Sequence, residues 1–184
     1  MELIVAITGA SGAVLGVKFL EKAREAEVKT HLVISKWGIE TLKAESGLNI
    51  DDVKPLAHRY YSNDNLLAPF SSGSFKFDGM VIIPCSMNTL AMIANGAGED
   101  LITRAASVTL KEGRKLVLVT RETPLSLIHI ENMERVTRAG GVILPPVLTF
   151  YHNPKTIDDM VNYVIGKVFD QFGIKHNLFL IWGE

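Results

Sequence analysis

Four short stretches carry residue types that could do chemistry. Gly9-Ala10-Ser11-Gly12 lacks bulky side chains, so its backbone N–H groups could approach an anion closely, with Ser11 adding a hydroxyl donor. Ser86-Met87-Asn88-Thr89 offers side chains that can satisfy either a helix start or a ligand. Arg121 and Glu122 are adjacent opposite charges, readable as an exposed salt bridge or as a ligand-facing pair. Arg104 and Lys111, seven residues apart, share a helix face, either solvated or forming a cationic wall for a phosphate.

Other candidates are weaker. Ser11 as a nucleophile needs a base beside it, and no histidine falls near it at a strand end. Cys85 follows an apolar run and reads as a small core residue. His31 within a strand and His129 within a helix lack metal-ligand spacing, so no metal is expected.

The elements that must position these groups alternate between strand and helix. Leu3 to Ile7 is an unbroken apolar run, read as a buried parallel strand, and Val14, Leu15, Val17, Leu20 and Ala23 follow at helical spacing. Lys29 to Ser35 reads as the second strand, and Trp37 to Glu45 as a helix stopped by Gly47. Met80–Ile83, Leu116–Val119 and Val142–Leu144 complete five predicted strands. Helices are predicted from Leu90 to Ala94, Asp100 to Glu112, Ser126 to Arg138 and Thr156 to Phe172, the last capped by Thr156 and stopped by Gly173. Residues 48–75 hold Pro55, Tyr60-Tyr61, Asn63-Asp64-Asn65 and Pro69, and read as a long polar loop.

This alternation predicts a three-layer α/β fold with a mostly parallel central sheet. Ligands in such sheets sit beyond the carboxyl ends of the strands. Thr8 to Ser11, Ser35, Pro84 to Thr89 and Arg121-Glu122 should therefore gather on one edge. A dinucleotide site would read G-x-G-x-x-G, with an acid closing the second strand. Here Ser11 and Val14 replace the later glycines, and the second strand closes on Ser35. A mononucleotide held by Ser11 and Ser35 fits better. The row is not a G-x-S-x-G nucleophile elbow, because Ala13 stands at the last glycine.

Bulk properties exclude several classes. The 184 residues suffice for one domain, residues 1–184, with 174–184 as a tail. A formal net charge of −1 gives no electrostatic reason to expect nucleic acid or an anionic membrane. One cysteine allows no intrachain disulfide. No apolar run approaches a membrane span, and no basic leader precedes the first strand, so a cytoplasmic protein is expected. A hydrophobic share of 47% hints at surface buried between subunits.

Gly9-Ala10-Ser11-Gly12-Ala13, Leu32-Val33-Ile34-Ser35-Lys36, Ser72-Gly73-Ser74-Phe75, Pro84-Cys85-Ser86 and Thr103-Arg104-Ala105-Ala106 occur in that order. Leu116 to Pro124, Glu131-Asn132-Met133 and Phe150-Tyr151-His152 follow. Together they resemble the UbiX-type flavin prenyltransferases, formerly described as 3-octaprenyl-4-hydroxybenzoate carboxy-lyases or phenylacrylic acid decarboxylases. The resemblance spans essentially the whole chain. It implies a flavodoxin-like fold, a homododecamer, and reduced FMN as prenyl acceptor. It implies transfer of a dimethylallyl group from dimethylallyl monophosphate to N5 and C6 of FMN. The prenylated FMN would then serve a UbiD-type decarboxylase.

By motif position, the resemblance implies that Gly9, Ala10, Ser11, Ser35, Ser86, Met87, Asn88, Thr89 and Arg121 hold FMN. Arg104, Tyr151, Lys167 and Trp182 are implied at the substrate, and Ser11, Glu45, Lys111 and Glu122 in catalysis. Three positions depart from the family pattern. Asn88 stands where lysine is commoner and Trp37 where a small residue is. Lys167 replaces the arginine of some members, keeping the charge but losing bidentate geometry. The second reading is an FMN-dependent cysteine decarboxylase of the related homo-oligomeric family. A plain flavin carrier would not need Glu122 and Lys111.

The adjacent acids Asp51-Asp52 and Asp158-Asp159 sit at predicted helix starts, which argues against a magnesium-diphosphate motif and for a monophosphate donor without metal. The apolar tail Phe179 to Trp182 is expected to cover a neighbour's site.

Overall fold

Apolar runs too hydrophobic to leave either face in water must be covered on both sides, and that requirement sets the architecture. The computed structural model describes residues 1–180 and 183. Six strands form one sheet: β1 (Glu2–Ile7), β2 (Lys29–Ile34), β3 (Arg59–Ser62), β4 (Gly79–Cys85), β5 (Lys115–Thr120) and β6 (Val142–Ile143). Their order is β3-β2-β1-β4-β5-β6, and every pairing is parallel.

The helices are α1 (Ala13–Glu25), α2 (Lys36–Ser46), α3 (Ile50–Val53), α4 (Met87–Ala94), α5 (Leu101–Lys111), α6 (Leu127–Arg138) and α7 (Ile157–Phe172). Alternation along β1 sends Leu3, Val5 and Ile7 to one face, against Phe19, Leu20, Leu42 and Phe169. Ile4 and Ala6 face the other way, among Leu90, Leu101, Ala105 and Val136. Phe19 and Phe169 meet edge to face at 5.5 Å and tie α1 to α7. No described helix is long and apolar enough to cross a membrane.

The strand order carries the functional consequence. Without the short edge strand β3, the remaining five run 2-1-3-4-5 in their own chain order, the flavodoxin arrangement. The direction of winding reverses between β1 and β4, and a crevice opens at such a switch point.

The parallel sheet agrees with expectation, and every pairing among the described residues is parallel. One expectation needs correction: the stretch 48–75, read as a long polar loop, contains α3 and β3. Strand β3 is held by pairing with β2 and by Tyr61, whose ring meets Phe70 edge to face at 4.9 Å.

Candidate active site

Because β1 pairs with β4, the turn after one lies beside the turn after the other. Thr8 fastens them. Its N–H and its hydroxyl both donate to the Pro84 carbonyl, at 3.2 and 2.9 Å. Its Oγ1 also accepts from the Ser86 N–H at 2.8 Å. Thr8 is buried, so this staple is shielded from water. Ala10 is buried too, and its N–H closes back on the Thr8 carbonyl at 2.8 Å.

A cavity of about 280 Å³ opens beside the staple, lined in part by Gly9, Ser35, Lys36, Ser86, Asn88 and Thr89. Ser35 caps α2 by accepting from the Gly38 N–H at 3.0 Å, which leaves its own O–H to donate. Ser86 caps α4 by accepting from the Thr89 N–H at 3.2 Å, and its hydroxyl meets Thr89 Oγ1 at 3.0 Å. The first turns of α2 and α4 thus face one cavity, presenting backbone N–H groups and the positive ends of two helix dipoles. Met87, in the first turn of α4, packs its side chain against the core.

Gly9 is fixed by space. A Cβ there would lie 2.4 Å from the Cβ of Trp37, so only glycine lets α2 come this close. Arg121 follows β5, and its Nε is buried with no hydrogen-bond partner among the described residues. Thr120 Oγ1 is in the same condition. Buried polar groups are normally paired, so these two at the ligand edge fit a bound polar molecule. Arg121 Nη1 lies 4.0 Å from Glu122 Oε1, which also accepts from the Thr123 N–H at 3.2 Å.

The start of α1 is already occupied. Glu45, from the last turn of α2, accepts from the Gly12 N–H at 2.9 and 3.1 Å and from the Ala13 N–H at 3.0 Å. The helix start that the sequence offers to a phosphate therefore holds a carboxylate of the chain itself. Ser11 lies beside it, exposed. The neighbouring cavity takes in the starts of α2 and α4, and Asp100, which caps α5, lines it as well.

Arg104 and Lys111 do share a face. Both line a cleft of about 360 Å³ that has Met92 in common with the first cavity. Arg104 Nε donates to the Ser71 carbonyl at 2.9 Å. Lys111 Nζ pairs with Glu112 at 2.7 Å, and that hydrogen bond holds the Glu112 carboxyl below its ordinary range.

Tyr151 and Lys167 lie elsewhere, in a cleft of about 640 Å³ with Asp170, His176 and Phe179. None of the residues lining it borders the other two cavities. Lys167 Nζ pairs with Asp170 at 2.7 Å, and His176 Nε2 meets the other Asp170 oxygen at 3.1 Å. Burial pushes the Asp170 carboxyl up, but the hydrogen bonds from Lys167 and His176 outweigh it and the net shift is downward. The hydroxyls of Tyr151 and Tyr163 are 2.9 Å apart, and this bond leads the causes that raise the Tyr151 phenol. One chain does not gather Arg104, Lys111, Tyr151 and Lys167 around a single anion.

Trp182 lies outside the described residues. Cys85 is fully buried and desolvation pushes its thiol up, which agrees with a core residue. Among the described residues no group of three or more His, Cys, Asp or Glu could hold a metal ion. Sequence reasoning missed Lys36, Asn63 and Asp100 as lining residues. Asn63 Nδ2 donates to Asp100 at 3.0 Å and its Oδ1 accepts from the Ile102 N–H at 3.1 Å, joining the end of β3 to the start of α5. No local signal could have shown this, because β3 itself was hidden.

Two helix starts beside the switch point of a parallel sheet, with the orphaned Arg121 Nε at the end of the next strand, fit a mononucleotide-binding α/β protein. Comparison with known proteins agrees and goes further. The Flavoprotein family model matches residues 1–169. A probable UbiX-like flavin prenyltransferase of Sedimentibacter hydroxybenzoicus is 52% identical over 183 residues, 99% of this chain and 97% of that protein. The mitochondrial flavin prenyltransferase PAD1 of Saccharomyces cerevisiae is 52% identical over 98% of this chain and 75% of its own length. The crystal structure of AnUbiX (PadA1) with FMN and dimethylallyl pyrophosphate superposes with a TM-score of 0.97 at 48% identity, over 100% of this chain and 97% of that one. A dodecameric FMN-dependent UbiX-like decarboxylase from Escherichia coli O157:H7 gives a TM-score of 0.97 at 50% identity, covering 100% of both chains. The cysteine decarboxylase TvaF, at 14% identity and a TM-score of 0.70, shares the fold alone. The chain belongs to the UbiX-like flavin prenyltransferase family.

Proposed function

We propose that this chain transfers a dimethylallyl group from dimethylallyl monophosphate to reduced FMN. The observation that carries the site is the buried, unpartnered Arg121 Nε at the carboxyl end of β5, where the Arg121 N–H donates to the Cys85 carbonyl just before α4 begins. Those residues fit a flavin mononucleotide: two helix starts and the Ser35 hydroxyl for its phosphate, and Arg121 for a polar group further along. Gly9 and Ala10 keep the turn beneath it free of bulk. FMN, once bound and reduced, supplies the nucleophilic ring atoms N5 and C6.

The chain's own residues then divide the work. Arg104 and Lys111 neutralise the phosphate that leaves as the allylic C–O bond stretches, and they act most strongly where its charge is greatest. Glu122 accepts the proton that must leave C6 when the ring closes. Ser11 donates a hydrogen bond beside Glu45, whose carboxylate is fixed by the first turn of α1. Tyr151 and Lys167 hold the prenyl phosphate from a neighbouring copy, since within one chain they border a different cleft from Arg104 and Lys111. Exposed apolar side chains suit such an assembly: Leu127, Ile128, Leu148 and Phe150 are each about two-thirds exposed, between 67% and 69%. A homododecamer is the natural size, given the dodecameric relative.

The product then passes to a UbiD-type decarboxylase. A cytoplasmic setting belongs to the same reading, although the yeast relative is mitochondrial by name. The test is to incubate the protein with reduced FMN and dimethylallyl monophosphate and weigh the released flavin. A flavin heavier by one isoprene unit supports the reading. Unmodified flavin, with decarboxylation of a peptidyl-cysteine substrate, would overturn it in favour of the second reading.

A further inference from the structure

Tyr163 has no part in the scheme so far, yet it is tied to a residue that has. It lies on α7 one turn before Lys167, so the two side chains share a helix face, and both border a cleft of about 310 Å³. Its hydroxyl is 2.9 Å from that of Tyr151. Its ring is held on two sides. The His152 ring stacks on it at 4.8 Å and 10°, and Phe179 meets it at 4.9 Å.

His152 shows that this stack is built for orientation. The residue is only 9% exposed, and neither ring nitrogen has a hydrogen-bond partner among the described residues. What this imidazole gives Tyr163 is its flat face. The flat face fixes the Tyr163 ring, and the fixed ring aims one hydroxyl at Tyr151.

We propose that Tyr163 is a positioning residue for the prenyl phosphate and acts through Tyr151. A pair of phenols can order its protons in two ways. When a phosphate oxygen arrives, only one order serves it. Tyr163 then donates to the Tyr151 oxygen, and Tyr151 turns its own O–H to the anion. Accepting a hydrogen bond makes Tyr151 a stronger donor, because hydrogen bonds in a chain polarise one another. The inference rests on the reading that Tyr151 contacts the prenyl phosphate.

Tyr163→Phe removes one oxygen and keeps the ring and its stack. Losing one net hydrogen bond should raise KM for dimethylallyl monophosphate about 3- to 10-fold. The rate constant kcat, FMN affinity and unfolding midpoint should stay at wild-type values. Tyr151→Phe should raise KM by at least as much. The double variant should match Tyr151→Phe alone, because Tyr163 has nothing left to act through. If Tyr151→Phe leaves KM unchanged, the reading of the site fails and the inference goes with it. If Tyr151→Phe raises KM while Tyr163→Phe does not, the inference alone is overturned. It is equally overturned if the two effects multiply, or if Tyr163→Phe lowers FMN affinity or the unfolding midpoint.

Discussion

Glu45→Ala should destabilise the protein by opening a helix start that the chain now closes for itself. The carboxylate takes two backbone N–H groups through contacts of 2.9 to 3.1 Å, and these join α2 to a turn 33 residues earlier. Hydrogen bonds to a charged group are worth about 1.5–3 kcal/mol when well shielded. A negative charge at a helix start adds about 0.3–1 kcal/mol. Glu45 is exposed, so water replaces part of what is lost, and about 1–2 kcal/mol is the expected cost. For a chain of this size that is a fall of about 3–6 °C in unfolding midpoint. Glu45→Gln should cost about half as much, because an amide oxygen can serve one N–H while its NH2 repels the other.

The assay is urea unfolding at one fixed protein concentration, since assembly contributes to apparent stability. Titrated inorganic phosphate provides the second arm. The Ala variant frees the Gly12 and Ala13 amides, so phosphate should stabilise it more than it stabilises the wild type. An Ala variant within about 0.5 kcal/mol of wild type, with no extra gain from phosphate, would refute the reasoning.

Glu122→Gln should sharply slow the appearance of prenylated flavin while FMN still binds; unchanged early yields by mass spectrometry would exclude the proton role. Gly9→Ala pushes a Cβ to 2.4 Å from that of Trp37 and should cost about 1–3 kcal/mol together with FMN affinity, read by unfolding and flavin fluorescence. Trp37→Ala should not relieve it, because alanine keeps the clashing atom. Asp170 has a folded-state pKa below its unfolded value, so its contribution is complete above the ordinary carboxylate value of about 3.9 and is lost as pH falls through the folded value. Asp170→Asn should therefore be less stable than wild type at neutral pH, with the difference closing as pH falls through the lowered folded-state pKa; an equal gap across acid unfolding curves would contradict this. Monophosphate and diphosphate donors compared with and without EDTA should show a metal-independent preference for the monophosphate, and activity lost in EDTA and restored by magnesium would count against the cation cluster described.

The sequence reveals most of the sheet because buried parallel strands must be apolar throughout, as Leu3–Ile7 and Met80–Ile83 are. Strand β3 was hidden for the opposite reason. It has four residues, only Tyr61 among them buried, and it lies among prolines and asparagines. Arg104 and Lys111 were legible because helical spacing alone puts them on one face. That Tyr151 and Lys167 border a separate cleft depends on how α7 packs, which no local pattern encodes. Glu45 illustrates the same limit. Motif position names it, but only the pairing of β1 with β2 brings the end of α2 to the start of α1. Ser35 was legible as a hydroxyl at a strand end, while its capping of Gly38 emerged only once α2 had formed.

The two lysines proposed to hold the prenyl phosphate do not stand bare. Lys111 has Glu112 and Lys167 has Asp170. On that reading an incoming dianion exchanges places with a carboxylate, and less of its affinity comes from raw positive charge. The consequence falls on turnover. Once the prenyl group has gone, the inorganic phosphate left behind competes with side chains that never leave, and they reclaim the lysines as it departs. Prenyl phosphate keeps a hold through its hydrocarbon tail, whereas the by-product has only its charge. The two carboxylates thus bias the site toward letting the spent phosphate go, and we expect neutralising Glu112 and Asp170 to leave an enzyme slowed by its own by-product.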